Sequence, residues 1–295
     1  SRLDEAVANL QRVKANLKRY KSGVLKAAVE GRLVTQSHVQ GSASAAHLDA
    51  ALLRAQILDA RYESWVANST RISRYKSPAE PKADRLGALP TGWTWTTIEE
   101  LGLAERPCAY GVLQPGDDRD AGIPLVRVGD INEGRVDTAG LKQIEPAIAA
   151  RYPRTQLRGG ELLITLVGSI GRTAIVPAEL KGANVARAVG VVPLSSNVNP
   201  RWVEIWFRSP DQLRSMDGQA HEVARKTLNL EDVRQAVVAL PPLEVQRRIV
   251  DEVDARLTIT EAVERDTDKA FVHAARLRAS VLASAFGDTN RLADA

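Results

Sequence analysis

The sequence predicts an α+β protein, with one mixed α/β domain between two long helices that pair as an antiparallel coiled coil. Three observations predict it. Over the first thirty-odd residues Leu3, Leu10, Leu17 and Val24 recur every seven places, with Ala6, Val13, Tyr20 and Ala27 three places later, filling two positions of a heptad. Near the other end Val253, Thr260, Thr267, Ala274 and Val281 hold one heptad position, and Ile249, Val263, Ala270 and Leu277 hold another. Between these stretches lie short runs of Val, Ile, Leu and Thr broken by glycine and proline, the pattern of strands and turns.

A helix with so narrow an apolar stripe requires a partner helix. The two stretches also share a weak repeat, since Val24-Leu25-Lys26-Ala27-Ala28-Val29 reads like Val281-Leu282-Ala283-Ser284-Ala285-Phe286 in the same heptad phase. Residues 1–34 carry eight basic and three acidic groups, and 241–295 carry eight basic and ten acidic. Opposite net signs favour the pairing.

Taken in order, the first helix runs to about Arg32, with Gly31 as its C-cap. Residues 35–47 read as a loose connection, and Leu48, Ala51, Leu52, Ala55, Leu58 and Tyr62 mark a short amphipathic helix from His47 to about Val66. Ser77-Pro78-Ala79-Glu80-Pro81-Lys82 is a linker. Trp93 and Trp95, two apart on a strand, share a face and are expected to pack over a core rather than stack on a ligand.

Strands follow at 123–128 and 162–167, and a hairpin turns at Gly168-Ser169-Ile170-Gly171 before returning through 172–177. A further strand at 189–194, a helix from Arg201 to Met216, a turn at 228–232 and a closing strand at 237–240 complete the domain. Pro241-Pro242 then stops the chain before the second long helix. The divisions are therefore 1–34, 35–88, 89–242, 243–288 and a tail at 289–295.

Composition narrows the function. The net charge of +4 supports no particular partner, although 99–145 is acidic and 151–187 basic. The single Cys108 leaves no internal disulfide and no multi-cysteine zinc site, and His38, His47, His221 and His273 show no ligand spacing. No apolar run approaches the roughly 18 residues that span a bilayer and no signal peptide opens the chain, so a cytoplasmic protein without membrane contact is expected. No phosphate-binding loop, dinucleotide fingerprint, zinc-protease motif or nucleophile elbow is present. Asp117-Asp118 and Glu231-Asp232 read as solvated loop charge. No catalytic constellation emerges.

Four stretches carry a resemblance to a known family. They are Val24 to Val34; Leu89-Pro90-Thr91-Gly92-Trp93-Thr94-Trp95; Gly160 to Arg172; and Leu240-Pro241-Pro242-Leu243-Glu244-Val245-Gln246. In this order and at these intervals they resemble the specificity subunit of a type I restriction–modification system, namely one target-recognition domain with the helical regions on both sides.

The resemblance implies a non-catalytic subunit that places recognition domains on double-stranded DNA. Methyltransferase subunits would dock on its helices and methylate adenine, and a restriction subunit would cleave remotely. No cofactor is expected in this chain, with methyl donor and ATP held by those partners. The helices would act as spacers, and about 33 helical residues span roughly 50 Å, enough to separate two domains by one DNA turn of on the order of 34 Å. The family's usual form has two recognition domains and this chain has one. It is then either a C-terminal half or a half-subunit whose homodimer rebuilds the whole, and the dimer is the expectation. A coiled-coil scaffold whose middle domain binds a protein is the competing reading.

Within that resemblance the DNA-contacting candidates are Ser169 and Arg172 at the hairpin tip, Arg127, Asn132 and Lys142 around the preceding loops, Asn184 and Arg187 between strands, and Lys226, Thr227 and Asn229 before the closing strand. Arginine can bind phosphate or pair bidentately with guanine. The spacer-pairing set is Leu3, Leu10, Val13, Leu17, Tyr20 and Val24 with Val253, Val263, Ala270, Ala274, Leu277 and Val281.

Overall fold

A computed structural model describes residues 2–34, 49–68, 74–82, 87–219, 221–222 and 226–287. The connection expected at 35–47 and the tail at 289–295 lie outside them. In chain order the helices are α1 (Arg2–Val29), α2 (Ala50–Asn68), α3 (Ile98–Leu101), α4 (Pro146–Ala149), α5 (Pro200–Arg208), α6 (Pro210–Gln219), α7 (Leu230–Gln235) and α8 (Leu243–Gly287). The strands are β1 (Thr94–Thr97), β2 (Ala109–Tyr110), β3 (Ile123–Val126), β4 (Ile131–Asn132), β5 (Arg135–Val136), β6 (Lys142–Ile144), β7 (Leu162–Thr165), β8 (Thr173–Ile175), β9 (Asn184–Val185), β10 (Val189–Val192), β11 (His221–Glu222), β12 (Lys226–Thr227) and β13 (Val237–Leu240). Among the described residues no helix is long and apolar enough to cross a membrane. The chain divides into two compact units, Ser1–Val24 with Asp251–Ala295, and Leu25–Val250.

The first unit pairs α1 with α8 in antiparallel fashion. Asp4 meets Arg278 at 3.5 Å, Lys14 meets Asp268 at 2.6 Å and Lys21 meets Glu264 at 2.5 Å, so the partner's number falls along α8 as it rises along α1. The seam holds one of the two expected heptad positions in each helix. Leu3, Leu10 and Leu17 are half-buried and Val24 is buried, and Val253, Thr260, Thr267 and Ala274 are buried opposite them.

The second position is displaced by one residue from the expectation. Val13, Tyr20, Val263, Ala270 and Leu277 face outward, and the seam takes Val7 and Lys21 in α1 and Leu257, Glu264 and Phe271 in α8; at the first position Val281 is exposed as well. The physical reason is that a heptad alternates steps of three and four. Counting apolar residues favoured the step of three, whereas the step of four brings Lys14 and Lys21 to their carboxylates. The Thr260 and Thr267 hydroxyls stay on the seam by donating to the carbonyls of Arg256 and Val263 one turn back. Reversing Lys21 or Glu264 alone is expected to cost about 1 kcal/mol, and the double reversal to recover most of it. Denaturant titration of the four proteins checks this, and additive losses would show that the two charges are not coupled.

At its other end α1 closes on Gly31, which adopts φ +68° while Arg32 N–H reaches Ala27 O at 2.9 Å and Gly31 N–H reaches Ala28 O at 3.1 Å. A side chain there would also meet Pro90 Cγ at 2.6 Å, so the position needs glycine twice over. Val24, Leu25 and Ala28 are all buried.

The second unit is built on a four-stranded antiparallel sheet in the order β2-β10-β7-β8. Leu163, Ala174, Val189 and Val191 from this sheet share one core with Val126, Ile131 and Val185. A three-stranded sheet, β6-β3-β9, pairs β3 with β6 antiparallel and with β9 in parallel. The domain's first and last strands close on each other, Thr94 opposite Leu240 and Thr97 opposite Val237. Over them lies α5, whose Trp202 and Trp206 indoles donate to Ala239 O at 3.0 Å and Val237 O at 3.1 Å. Trp93 and Trp95 stand edge-on to Trp202 and Trp206 at 5.4 and 5.9 Å, the packing role their spacing predicts.

Three local readings change. The single helix expected at 201–216 is two, because Pro210 restricts Ser209, which takes extended backbone at ψ 146°. The turn expected at 228–232 starts α7, with Asn229 and Asp232 forming a reciprocal capping box. The Thr97–Glu100 pair does the same for α3. The proline-rich segment is strapped down: Tyr75 packs against Tyr62 and Trp65 at 5.1 and 5.3 Å, and Ala79 bonds through its N–H to Glu99 and its carbonyl to Thr97.

Candidate nucleic-acid interface

Several of the candidate loops meet at one end of the main sheet, and backbone bonds bring them there. Leu166, just past β7, donates its N–H to Ala188 O at 2.8 Å and accepts the N–H of Leu228 at 2.8 Å. Its neighbour Val167 bridges Thr227 in antiparallel register. The loop at 186–188 is held in turn by Arg187 N–H to Val112 O at 2.8 Å and Ala186 N–H to Val126 O at 2.9 Å. One strand end thus gathers the 168–172 turn, the segment before α7, the Arg187 loop and the chain around Tyr110.

The turn is shaped by Thr165. Its hydroxyl donates to Ser169 O and accepts the Arg172 N–H at 2.9 Å, and its carbonyl accepts the Gly171 N–H at 3.0 Å. Gly168 and Gly171 supply φ of +81° and +77°. Thr165 itself is fully buried, so Ser169 and Arg172 stand exposed on a rigid base. Among the described residues Arg172 and Arg187 are exposed and make no side-chain ion pair.

Arg127 follows β3 beside the Arg187 loop, and its guanidinium forks onto Asp130 with two bonds of 3.2 Å. Those hydrogen bonds raise its pKa above the ordinary arginine value. Asn132 is exposed at the neck of the β4–β5 hairpin, which lies along β8. Lys142 stands apart, donating to Gly116 O at 2.6 Å. Thr227 is half-buried at its bridge to Val167, and the Lys226 side chain lies outside the described residues.

Two candidates have structural duties. Asn184 is 1% exposed; its amide oxygen accepts from the Thr155 hydroxyl at 2.6 Å and its amide nitrogen donates to Tyr152 O at 3.3 Å. A buried, fully used amide cannot read DNA, so Asn184 leaves the set. Asn229 spends its side-chain oxygen on the N-cap of α7, accepting from Asp232 N–H at 2.9 Å.

One residue missed from sequence joins the cluster: Tyr110 is 45% exposed, with its hydroxyl accepting the Leu230 N–H at 3.0 Å. A tyrosine followed directly by glycine was the available signal. Gly111 lets the chain press against the Val185 carbonyl, 2.1 Å from where a Cβ would stand.

Burial pushes the Cys108 thiol up to about 11, leaving it protonated and unreactive at neutral pH. Among the described residues no group of three or more His, Cys, Asp or Glu could hold a metal.

Comparison with known proteins decides the family. The chain is 32% identical over 287 residues to the type I restriction enzyme EcoBI specificity subunit of Escherichia coli, covering 97% of this chain and 53% of that protein. It belongs to the family of type I restriction specificity subunits. The EcoKI specificity subunit of Escherichia coli strain K12 is 26% identical over 191 residues, covering 63% of this chain and 39% of that protein. This specificity-subunit chain therefore spans about half the length, or less, of the curated relatives it matches. Its fold resembles a chain from a structure on complex assembly and conformational transition of the type I R-M system, at TM-score 0.52 and 18% identity, over 94% of this chain and 59% of that one. No protein-family model matches the sequence.

Proposed function

We propose that this chain recognises one half of a bipartite DNA site for a type I restriction–modification complex, without chemistry of its own. The observation that carries the reading is the convergence of Ser169, Arg172, Arg187 and Thr227 on loops at one strand end, with both arginines free to meet phosphate or a guanine edge. The identity to the EcoBI specificity subunit supports it. Methyl donor and ATP belong to the partner subunits. Methyltransferase subunits dock on the helix pair, whose outward Val13, Tyr20, Val263 and Leu277 offer apolar contact for further helices.

A second recognition unit, in a second copy or a longer chain, completes the site. The repeat supports this: Val24 is buried, whereas the corresponding Val281 is 62% exposed. Two identical chains would read a palindrome interrupted by a fixed gap. Sequencing methylated sites in cells carrying the chain with its methyltransferase tests the whole reading. Adenine methylation at one bipartite motif is expected, and methylation that does not depend on the chain would overturn it.

Arg172→Ala is expected to cost roughly 1–3 kcal/mol in binding to the cognate duplex. If Arg172 reads a base, preference at one position relaxes; if it holds phosphate, all sequences weaken and the salt slope falls by about one. Binding equal to the wild-type chain across salt concentrations would take Arg172 out of the interface.

A further inference from the structure

The β4–β5 hairpin turns through Glu133 and Gly134, with φ of +44° and +86°, the two-residue geometry that suits the strand twist. It presents Asn132, exposed and without a described side-chain partner, beside the β8 edge that follows Arg172. Ile175 N–H reaches Gly134 O at 3.4 Å. From the other side Gly134 rests on a charged cluster of α5. A Cβ at Gly134 would lie 2.6 Å from Arg201 Nη1, 2.7 Å from Glu204 Oε1 and 2.8 Å from Arg208 Nη1.

Glu204 is fully buried, and it holds Arg201 through one oxygen and Arg208 through the other at 3.3 Å, while the Thr173 hydroxyl of β8 lies 3.4 Å from Oε1. Its neighbours Trp202, Val203 and Ile205 are apolar and equally buried, so packing alone would be served by another apolar residue. A buried charge among donors from two elements admits few arrangements, and that restriction is what it adds.

We infer that Glu204 is a positioning residue: it ties the Gly134 turn to α5 and β8 so that Asn132 presents its amide to a base edge in fixed geometry. The inference rests on the DNA-reading function proposed above and names an element of that reading. Asparagine pairs bidentately with adenine in the major groove, and such pairing tolerates displacements of only about 0.5 Å.

The test is selection of the full chain, with its methyltransferase, on a duplex library randomised across the target. Base preference at each position is compared for wild type, Asn132→Ala, Glu204→Gln and Gly134→Ala. Asn132→Ala is expected to flatten one position about tenfold. Glu204→Gln and Gly134→Ala are expected to flatten that same position, with binding to unselected duplex at low salt unchanged. Should Glu204→Gln fail to fold, Gly134→Ala, which leaves the Glu204 charge in place and disturbs the same contact from the turn, decides. An unchanged preference in Asn132→Ala, or in both Glu204→Gln and Gly134→Ala, overturns the inference alone. A wild-type chain with no preference anywhere overturns the proposed function itself.

Discussion

Glu161→Ala is expected to lower the unfolding free energy by about 3–5 kcal/mol, because it leaves a buried arginine without its counter-charge. The side chains of Arg106 and Glu161 are 7% and 4% exposed and meet at 2.6 Å. The carboxylate also accepts the N–H groups of Arg158 and Gly159 at 2.7 and 2.8 Å, and Arg106 donates to Gln156 O at 2.6 Å. One ion pair therefore clamps the entry of β7 to the chain that leads into β2, and those two strands run on to the 168–172 turn and to Tyr110. Urea titration of the purified variant measures the loss. A cost under about 1 kcal/mol would mean that Arg106 swings out to water and that the pair does not hold the two loops together.

Trp202→Ala should be comparably severe, at about 3–5 kcal/mol, through the cavity it opens. Trp202 is fully buried, donates to β13 through its indole and contacts Trp93 and Trp206. Trp202→Phe is expected to recover part of the loss by refilling volume, although it leaves Ala239 O without its donor. The same titration checks both, and equal losses for the two variants would assign the effect to the hydrogen bond rather than to the volume.

Much of the fold was legible where the signal is local. The step of seven set one seam position in each long helix, and the paired tryptophans announced a shared face. Gly168 and Gly171 flanked a hairpin that formed where expected. Thr97-x-x-Glu100 and Asn229-x-x-Asp232 were capping signatures that the reading for apolar periodicity passed over. The second seam position was harder to read, because it mixes the apolar Val7, Leu257 and Phe271 with Lys21 and Glu264, which pair across the helices. In the candidate interface, Arg172 and Arg187 could be proposed as exposed loop charge, but Asn184 looked the same and is a buried peg. An asparagine among small polar residues is free or spent according to what lies beside it, and here Thr155 and Tyr152 come from thirty residues away.

By itself, then, the sequence determined the class of fold, the two long helices, the hairpin at 168–172 and the family resemblance, since each depends on residues within a turn or a strand of one another. Only the tertiary structure decided which heptad face is inside, which polar side chains remain free, and that Glu204 stands beneath Gly134. Those are outcomes of long-range pairing, in which burial and a partner's charge outweigh local preference.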